Sequence, residues 1–421
     1  MLDIKIIREN PELIRRGAEA KRMTVDLDRI LALDQEVRPL QTECESLQAE
    51  RNAISKAIPK ASPDEREALK TKVSAIKERI DTLEASLKAK KDELLSLLLL
   101  VPQPPRDDVP RGRDDSENVE VRRWGTVPSF AFKPLSHMEL GERRGWIDVT
   151  RGVKLAGSRS YVLKGDMARL EQAVLRFAYD LLLNKGYTPL SIPVLVSEEC
   201  MVGTGYFPTG REQAYYVEKD QLALVGTAEV GLTSYYAKEI LKADQLPQKM
   251  MALSSCFRRE AGTYGKDTSG LYRVHQFQKI EQVIVGPNDV AASEALHDEL
   301  LNNAELILQA LELPYRVVYV CTGDLGQGQV RKHDIETWMP SRNAYSETHS
   351  CSTFHEFQAR RLQLRYKDEN GENRICHTLN NTAVATPRVL IPLLENHQEA
   401  DGRVRIPKAL QPYMGGKTHI G

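Results

Sequence analysis

Two long runs of apolar residues at three- to four-residue spacing dominate the first quarter of the chain. The first run extends from Ile30 to Ile54 and the second from Leu69 to Leu97. Such heptad spacing predicts two helices that pack along a shared apolar seam. In the break between them, Ser62, Pro63 and Glu65 match an N-cap, a first helical residue and a capping-box glutamate. The sequence therefore predicts an antiparallel α-helical coiled-coil arm, whose second helix of roughly 38 residues is about 55 Å long.

One residue of the first run, Pro39, does not suit the interior of a helix. An interior proline removes a backbone hydrogen bond and costs about 3 kcal/mol. We therefore expect either a kink at Pro39 or a helix that begins near it.

Positive charge is concentrated towards the tip of the predicted arm. Residues 51–79 contain eight lysines and arginines against four aspartates and glutamates, which gives a net charge of +4. The whole chain has a net charge of −1 and a pI near 6.8, which excludes a uniformly basic nucleic-acid-binding protein. A basic projection suits a phosphate backbone, although a coiled coil that is simply solvated would show the same pattern.

Nothing in the composition indicates a secreted or membrane-embedded protein. The six cysteines lie far apart and form no C-x-x-C pair, which predicts reduced thiols rather than disulfides or a zinc ribbon. The opening stretch MLDIKIIRENPELI carries charges throughout, unlike a signal peptide. The apolar run LLLLV at 97–101 is too short to span a bilayer. We therefore predict a cytoplasmic protein with no membrane partner and no zinc.

A change in composition indicates a domain boundary near residue 105. The segment PQPPRDDVPRGRDD is rich in proline and charge, as linkers are. From about residue 130, helix-like and strand-like patterns mix without regular alternation, which predicts an α+β fold with a mostly antiparallel sheet flanked by helices. The expected domains are 1–105 and 106–421. Helices are expected at 167–186 and 290–313, and strands at 189–196, 221–226, 279–286 and 315–321.

Two strand-like segments between Cys256 and Gln282 carry charges on alternate positions. Because strand side chains alternate between faces, Arg258 and Glu260 are expected to share one face of the first segment. Arg273, Phe277 and Glu281 share one face of the second. If the segments pair, they form a platform of arginines, carboxylates and one aromatic ring.

The loop that joins these two segments is too long for a tight hairpin. Its glycines allow a ligand to approach the backbone closely, and it adds one lysine. The alternative is a flexible surface hairpin whose arginines pair with neighbouring glutamates. The residues in question are Gly262, Gly265, Lys266 and Gly270.

A further arginine lies near the start of a predicted helix. Thr386 and Pro387 match an N-cap and a first helical residue, which places Arg388 in the first turn. A cation there is disfavoured by the helix dipole unless an anion arrives to meet it. Arg388 is therefore a candidate anion ligand, or an exposed arginine that tolerates the cost.

Two polar segments offer further candidate ligands. Glu347 could hold a hard cation such as Mg²⁺, whereas His349 has too few further ligands nearby for a zinc site. Thr227 and Glu229 could bind an amine or a hydroxyl, or could equally open a helix over 228–240.

Taken together, these segments resemble the class II aminoacyl-tRNA synthetases, and specifically the bacterial-type seryl-tRNA synthetase family. The resemblance covers essentially the whole chain and rests on the order and spacing of several motifs. It implies a homodimer in which Pro193 lies at the interface. The matching segments are the arm at 27–100, TAE at 227–229, FRRE at 257–260, RVHQF at 273–277, ETHS at 347–350, and NNT and TPR within 380–388.

The resemblance also implies a role for each candidate residue. The catalytic set is Arg258, Glu260, Arg273 and Arg388. The ATP-binding set is Arg258, Arg259, Glu260, Val274, Phe277, Glu347, Thr348, His349, Ser350 and Arg388, in which Arg259 has no individual role. The serine-binding set is Thr227, Ala228, Glu229, Arg258, Glu281 and Thr382. Within these sets, Arg258 would contact the α-phosphate and Phe277 would stack on adenine, while Glu347 and Ser350 would hold Mg²⁺ on the phosphates.

The activity that the resemblance implies has two steps. Serine and ATP first form seryl-adenylate, and the seryl group then passes to tRNA(Ser) or tRNA(Sec). The arm would bind these tRNAs. One alternative is an amino-acid-activating homologue that loads a carrier protein, although such relatives lack the long arm. The other is a non-catalytic coiled-coil interaction protein, which would have lost the motif arginines.

Overall fold

The computed structural model describes residues Met1–Gly262 and Gly270–Gly421. Gly265 and Lys266, which the sequence singled out in the loop, lie outside the described residues. Contacts divide the chain into two compact units. The first unit comprises Met1–Glu19 and Met23–Pro104, and the second comprises Ala20–Arg22 and Pro105–Gly421.

The first unit is helical, and its two long helices form the arm. Ion pairs join the long helices at Arg29–Glu93, Arg79–Glu43 and Lys72–Glu50, ascending one helix as they descend the other. The two helices therefore run antiparallel, as predicted. The helices of this unit are α1 (Ile4–Glu9), α2 (Pro11–Ala20), α3 (Leu27–Ala57) and α4 (Pro63–Leu98).

The start of α4 agrees with the sequence prediction, whereas the start of α3 does not. Glu65 accepts hydrogen bonds from the backbone nitrogen and the hydroxyl of Ser62 at 3.0 and 2.7 Å, which confirms the predicted capping box. Helix α3 begins at Leu27 and continues through Pro39, so a helix start near Pro39 is wrong. The buried seam that α3 shares with α4 supplies packing that offsets the missing backbone hydrogen bond.

The second unit contains a mixture of short helices and strands. The helices are α5 (His137–Arg143), α6 (Val149–Ala156), α7 (Asp166–Asn184), α8 (Glu198–Thr204), α9 (Glu229–Ser234), α10 (Val290–Ala310), α11 (Phe357–Arg361) and α12 (Leu390–His397). The strands are β1 (Val119–Trp124), β2 (Ile147–Asp148), β3 (Val162–Leu163), β4 (Thr188–Pro189), β5 (Leu195–Ser197), β6 (Tyr215–Val217), β7 (Leu222–Leu224), β8 (Ile240–Lys242), β9 (Gln248–Phe257), β10 (Gln276–Gly286), β11 (Tyr315–Tyr319), β12 (Arg331–Met339), β13 (Ala344–His355), β14 (Arg365–Lys367), β15 (Asn373–Ile375), β16 (His377–Thr386), β17 (Val404–Arg405) and β18 (His419–Ile420).

One large sheet organises this unit. Within the described residues it has eight strands in the order β1-β11-β12-β13-β16-β10-β9-β4. Neighbouring strands are antiparallel except β4 and β9, which are parallel. Buried leucines of α7 and α10 belong to the main hydrophobic core together with residues of this sheet. The predicted α+β fold with a mostly antiparallel sheet is confirmed.

Prolines explain one wrong strand prediction. The segment 189–196 was expected to be one strand, but only β4 and β5 at its two ends are extended and paired. Pro189 and Pro193 have no backbone N–H to donate to a ladder, and each also restricts the residue before it. Helix α9 ends at Ser234, so a helix over the whole of 228–240 is also wrong.

The predicted helix start at Thr386 is wrong as well. Thr386 is the last residue of β16, where it pairs with Gln278, and its hydroxyl donates to Glu171 at 2.8 Å. That hydroxyl is therefore not available as an N-cap. Helix α12 begins only at Leu390, so Arg388 lies in the turn between the strand and the helix.

A buried lysine explains why residues 20–22 belong to the second unit. Lys21 is 3% exposed, and its ammonium group donates to the carbonyls of Gly326, Gln327 and Gln329 at 2.9, 3.1 and 2.5 Å. Burial lowers the pKa of Lys21 well below its usual value. The three hydrogen bonds fix the loop over residues 326–329.

No helix in the part of the chain that the structure describes has the length and apolar character needed to cross a bilayer.

We predict that Pro39→Ala stabilises α3 by about 1–3 kcal/mol, because the restored backbone hydrogen bond outweighs the gain in chain entropy of the unfolded state. The measurement is amide hydrogen exchange of α3 in the full-length protein. Pro63→Ala is the matched control, since the first residue of a helix has no partner for its N–H in any case. Equal protection in wild type and Pro39→Ala would contradict the prediction.

Candidate active site

The two segments predicted to form a platform do pair with each other. Strands β9 and β10 are antiparallel, with Phe257 opposite Gln276, and β16 pairs along the other edge of β10. Strand β9 ends at Phe257, so Arg258 lies just beyond the strand and its backbone N–H donates to His275 at 2.9 Å. Glu260 has a positive φ of 52°, so it does not continue the strand and the predicted shared strand face is wrong.

A first cavity of about 510 Å³ opens where these segments leave the sheet. The guanidinium of Arg258 lies 5.2 Å from the ring centre of Phe277, and Arg388 lies 4.3 Å from the ring centre of Tyr272. Both arginines therefore rest on aromatic faces. The predicted catalytic and ATP-binding residues that line this cavity are Arg258, Glu260, Arg273, Val274, Phe277, Glu347, Thr348 and Arg388.

Carboxylates neutralise part of the positive charge in this cavity. Arg273 contacts Glu260 at 3.1 Å, and Arg388 contacts the Glu347 carboxylate at 3.4 Å. Burial alone raises the pKa of Glu347, but Arg388 and Lys332 outweigh burial and hold the pKa below its usual range. The ionised Glu347 is therefore present at neutral pH, and an incoming phosphate would compete with it for Arg388.

A second cavity, of about 730 Å³, adjoins the first because Arg258, Lys279 and Thr382 line both. Its wall includes the loop 326–329 that Lys21 fixes. The predicted site residues that line it are Glu229, Arg258, Glu281, Ser350 and Thr382.

Two carboxylates dominate the polar end of the second cavity. Glu229 accepts hydrogen bonds from the hydroxyl of Tyr206 and the amide of Gln358, both at 2.7 Å. Burial, and then the nearby Glu281, raise the pKa of Glu229. Thr227 lies behind this pair, where its hydroxyl donates to Glu281 at 3.3 Å. An ammonium group that entered here would reduce the repulsion between the two carboxylates.

Lys279, which was not predicted as a site residue, is 5% exposed and lines both cavities. Its ammonium forms an ion pair with Glu281 and lies 3.5 Å from the hydroxyl of Thr382. Lys279 follows Phe277 and precedes Glu281 by two residues, so strand alternation was a sufficient signal. Tyr206 was also missed, and no local pattern marks it.

Four predicted residues line neither cavity. One is Thr227, which lies behind the two carboxylates as described above. Ala228 is fully buried in an apolar cluster. Arg259 lies 5.7 Å from the ring centre of Tyr215 and lines a different cavity. His349 is 1% exposed, and it bonds to the Thr348 hydroxyl at 2.9 Å and to the Ala383 carbonyl at 3.1 Å.

The buried His349 ring has a structural role, because it satisfies a backbone carbonyl at a β-bulge. Ala383 is the extra residue where the pairing of β10 and β16 shifts register, so its carbonyl needs a partner outside that ladder. Burial lowers the pKa of His349 to about 4, so the neutral ring can donate to this carbonyl and accept from the Thr348 hydroxyl.

The residues predicted to hold Mg²⁺ offer oxygen ligands only. Glu347 lines the first cavity and Ser350 lines the second. In Met1–Gly262 and Gly270–Gly421, no group of three or more His, Cys, Asp or Glu side chains could hold a metal ion. Mg²⁺ keeps several waters and uses phosphate oxygens, so one carboxylate and one hydroxyl suit an ion held mainly by a nucleotide.

Comparisons with known proteins agree with this geometry. The model described as "Seryl-tRNA synthetase N-terminal domain" matches residues 1–105, and the "tRNA synthetase class II core domain (G, H, P, S and T)" matches residues 215–397. A protein named serine–tRNA ligase from Deinococcus radiodurans is 50% identical over 421 residues, which cover 100% of this chain and 99% of the relative. The chain belongs to the seryl-tRNA synthetase family. The corresponding ligase of Acidithiobacillus ferrooxidans is 45% identical, with 100% of both chains covered.

Solved structures of this family have the same fold. A seryl-tRNA synthetase from Pyrococcus horikoshii, complexed with ATP, superimposes with a TM-score of 0.90 at 39% identity and covers 100% of this chain and 99% of its own. The cytoplasmic serine–tRNA ligase of Naegleria fowleri, in complex with AMP, gives a TM-score of 0.86 at 33% identity, covering 100% of this chain and 98% of its own.

Family membership confirms the predicted family, fold and class of activity: this is an ATP-dependent aminoacyl-tRNA ligase that acts on serine. The relatives match over the full length, arm included, which leaves a carrier-loading homologue without support. Arg258 and Arg388 are both present and line one cavity, which argues against a non-catalytic interaction protein.

The ion pair between Lys279 and Glu281 generates a stability prediction. Lys279→Met leaves the buried Glu281 carboxylate without its cation, and we expect a loss of about 3–5 kcal/mol. The double variant Lys279→Met/Glu281→Gln should recover most of that loss, because it removes the uncompensated charge. Thermal unfolding of the three proteins measures both effects. Equal destabilisation of the single and double variants would contradict this account.

Proposed function

We propose that the two adjoining cavities bind ATP and serine side by side and form seryl-adenylate at their junction. The observation that carries the proposal is the position of Arg258, which lines both cavities and therefore lies where the α-phosphate would meet the serine carboxylate. The relative from P. horikoshii was crystallised with ATP, which supports ATP as the nucleotide. A ribose hydroxyl of the 3′-terminal adenosine of tRNA then attacks the seryl carbonyl of this product, and AMP leaves.

The first step needs no protein nucleophile. The serine carboxylate is already ionised, and it attacks the α-phosphorus of ATP as the bond to the leaving pyrophosphate breaks. Arg258 stabilises the charge that develops at the α-phosphate, and Arg273 and Arg388 bind the outer phosphates. Glu347 and Ser350 would hold a Mg²⁺ ion, which supplies further charge neutralisation when bound. Positioning and charge neutralisation therefore supply the catalysis.

Specificity for serine follows from the polar groups of the second cavity. Glu229 and Glu281 face the same space and would accept the hydrogen bonds of the serine ammonium group. Thr382 offers a hydroxyl beside Lys279, and we assign it to the serine hydroxyl. Alanine has the same ammonium group but no hydroxyl, so it would leave the buried Thr382 hydroxyl without this partner, which penalises the wrong substrate.

We expect serine-dependent ATP–pyrophosphate exchange in the wild type, and a loss of about 10²–10³-fold in Arg258→Ala and in Arg388→Ala, because each removes a charge on the phosphates. Arg374→Ala is the matched control, since Arg374 is half exposed and bound to Asp368 and Glu372 away from both cavities. Exchange without serine, or full exchange after both arginines are replaced, would refute the proposal.

We propose that the arm binds tRNA, and that the tRNAs it binds are tRNA(Ser) and tRNA(Sec). The net charge of +4 over residues 51–79 supports this, because phosphate backbones attract exposed cations. Lys56, Lys60 and Lys77 are exposed and, among the described residues, have no carboxylate within ion-pair distance. A folded RNA recognised by shape and phosphates suits such an exposed basic surface. Residues 1–105 are therefore the proposed tRNA-binding domain and 106–421 the catalytic domain.

Replacing Lys56, Lys60 and Lys77 together by glutamate should weaken tRNA binding by about tenfold or more, with a smaller dependence on salt, because phosphate contacts are lost. ATP–pyrophosphate exchange should stay within about twofold of the wild type. The control replaces Lys133, Lys367 and Lys408, which are exposed in the second unit, and changes the net charge equally. Equal loss of tRNA binding in both triple variants would show a general charge effect and contradict the proposal.

We also propose a homodimer in the cytoplasm, where charged tRNA is used. Leu183 and Leu195 lie close in sequence to Pro193 and are 46% and 43% exposed, as expected for side chains that a second copy covers.

A further inference from the structure

A buried glutamate and a histidine form a hydrogen-bonded pair behind the proposed ATP site. Glu395 is fully buried on α12, and its carboxylate accepts bonds from the backbone nitrogen and the Nδ1 of His137 at 2.9 and 2.7 Å. It also accepts bonds from the backbone nitrogen and the hydroxyl of Ser341, at 2.9 and 2.8 Å. Burial alone raises the pKa of Glu395, but the hydrogen bonds from His137 and Ser341 hold it below its usual range.

The other nitrogen of the His137 ring has a different partner. The backbone N–H of Leu271 points at Nε2 over 3.3 Å. An amide nitrogen can only donate, so Nε2 must be unprotonated and accept. The single proton of the neutral ring is therefore on Nδ1, where it is donated to Glu395. Glu395 thus selects the one tautomer of His137 that can bind the Leu271 amide.

The backbone before Leu271 is shaped to allow this contact. Gly270 has a φ of 86°, and a β-carbon at this position would lie 2.7 Å from the Nε2 of His137. A larger residue at 270 would therefore both strain the backbone and displace the ring.

The residues that follow Leu271 belong to the proposed triphosphate site. The hydroxyl of Tyr272 donates to the backbone carbonyl of Glu347 at 3.0 Å. The backbone carbonyl of Tyr272 accepts from Arg388 at 3.4 Å. Its ring also lies against the guanidinium of Arg388. Arg273 comes next in the chain and contacts Glu260. A shift of the backbone at Leu271 would therefore move both phosphate-binding arginines.

We propose that His137 and Glu395 are positioning residues which fix the backbone at Leu271 and so hold Tyr272, Arg273 and Arg388 in place for the triphosphate. This inference rests on the proposed ATP site. Neither residue lines either cavity. Their effect is on ATP rather than on serine, because Tyr272, Arg273 and Arg388 line the first cavity and none of them lines the second.

Two substitutions of His137 separate its two hydrogen bonds. The amide nitrogen of Asn reaches the position of Nδ1 and can still donate to Glu395, but its side chain does not reach Leu271. The amide oxygen of Gln reaches the position of Nε2 and can still accept from Leu271, but the bond to Glu395 is lost. Kinetics of serine-dependent ATP–pyrophosphate exchange then show which of the two bonds matters.

We expect His137→Asn to raise KM for ATP about fivefold or more, with KM for serine within about twofold of the wild type, as for the loss of one hydrogen bond that acts on ATP alone. The His137→Gln variant should have a KM for ATP within about twofold of the wild type. Hydrogen exchange at the Leu271 amide should be faster in His137→Asn but not in His137→Gln.

An unchanged KM for ATP in His137→Asn, a parallel rise in both KM values, or equal effects of Asn and Gln would each overturn the inference. Unchanged exchange at the Leu271 amide would overturn it even if a variant were inactive. A wild type without serine-dependent exchange would instead refute the proposed function, and this inference with it.

Discussion

The repulsion between three guanidinium groups is the constraint on which the rest of the site depends. Arg258, Arg273 and Arg388 line one cavity, and without compensation their charges would disfavour the folded state. Among the partners that offset them are Glu260 for Arg273 and Glu347 for Arg388. Arg258 has the aromatic face of Phe277 and the carbonyl of Gly226, at 3.3 Å. The arginines are thus held in position, and a polyphosphate can replace these partners.

One interior strand of the large sheet, β10, contributes residues to both cavities. Strand β10 is paired on both edges, so its register is fixed and Phe277, Lys279 and Glu281 point to one face. The register shift opposite Ile280 and Glu281 places Thr382 across from Glu281, which brings the hydroxyl and the carboxylate to the same cavity. One strand therefore carries the aromatic ring of the first cavity and the carboxylate of the second, with Lys279 between them.

The sequence predicted those elements whose residues repeat with the short period of a helix or a strand. The 3.5-residue period found the arm, and the two-residue period correctly placed Phe277 and Glu281 on one face of β10. Arg273, predicted on the same strand face, precedes the strand, so that part of the prediction is wrong. Arg388 was recognised, but its place in a turn was not, since the Thr386 hydroxyl is engaged by Glu171, which lies far away in sequence. The same limit applies to Lys21, whose carbonyl partners follow about 300 residues later, as no local pattern could indicate them.

The chain places two kinds of cation where two kinds of phosphate would be bound. In the second unit the proposed phosphate ligands are arginines whose planar groups lie against rings and carboxylates, which suits a single bound nucleotide. Towards the tip of the arm most of the cations are lysines on exposed helix faces, and such ion pairs as Lys70–Glu67 are solvent-exposed and weak. Mobile, hydrated charges of this kind cost little to rearrange, so they can follow an extended RNA backbone in a way that fixed guanidinium groups cannot.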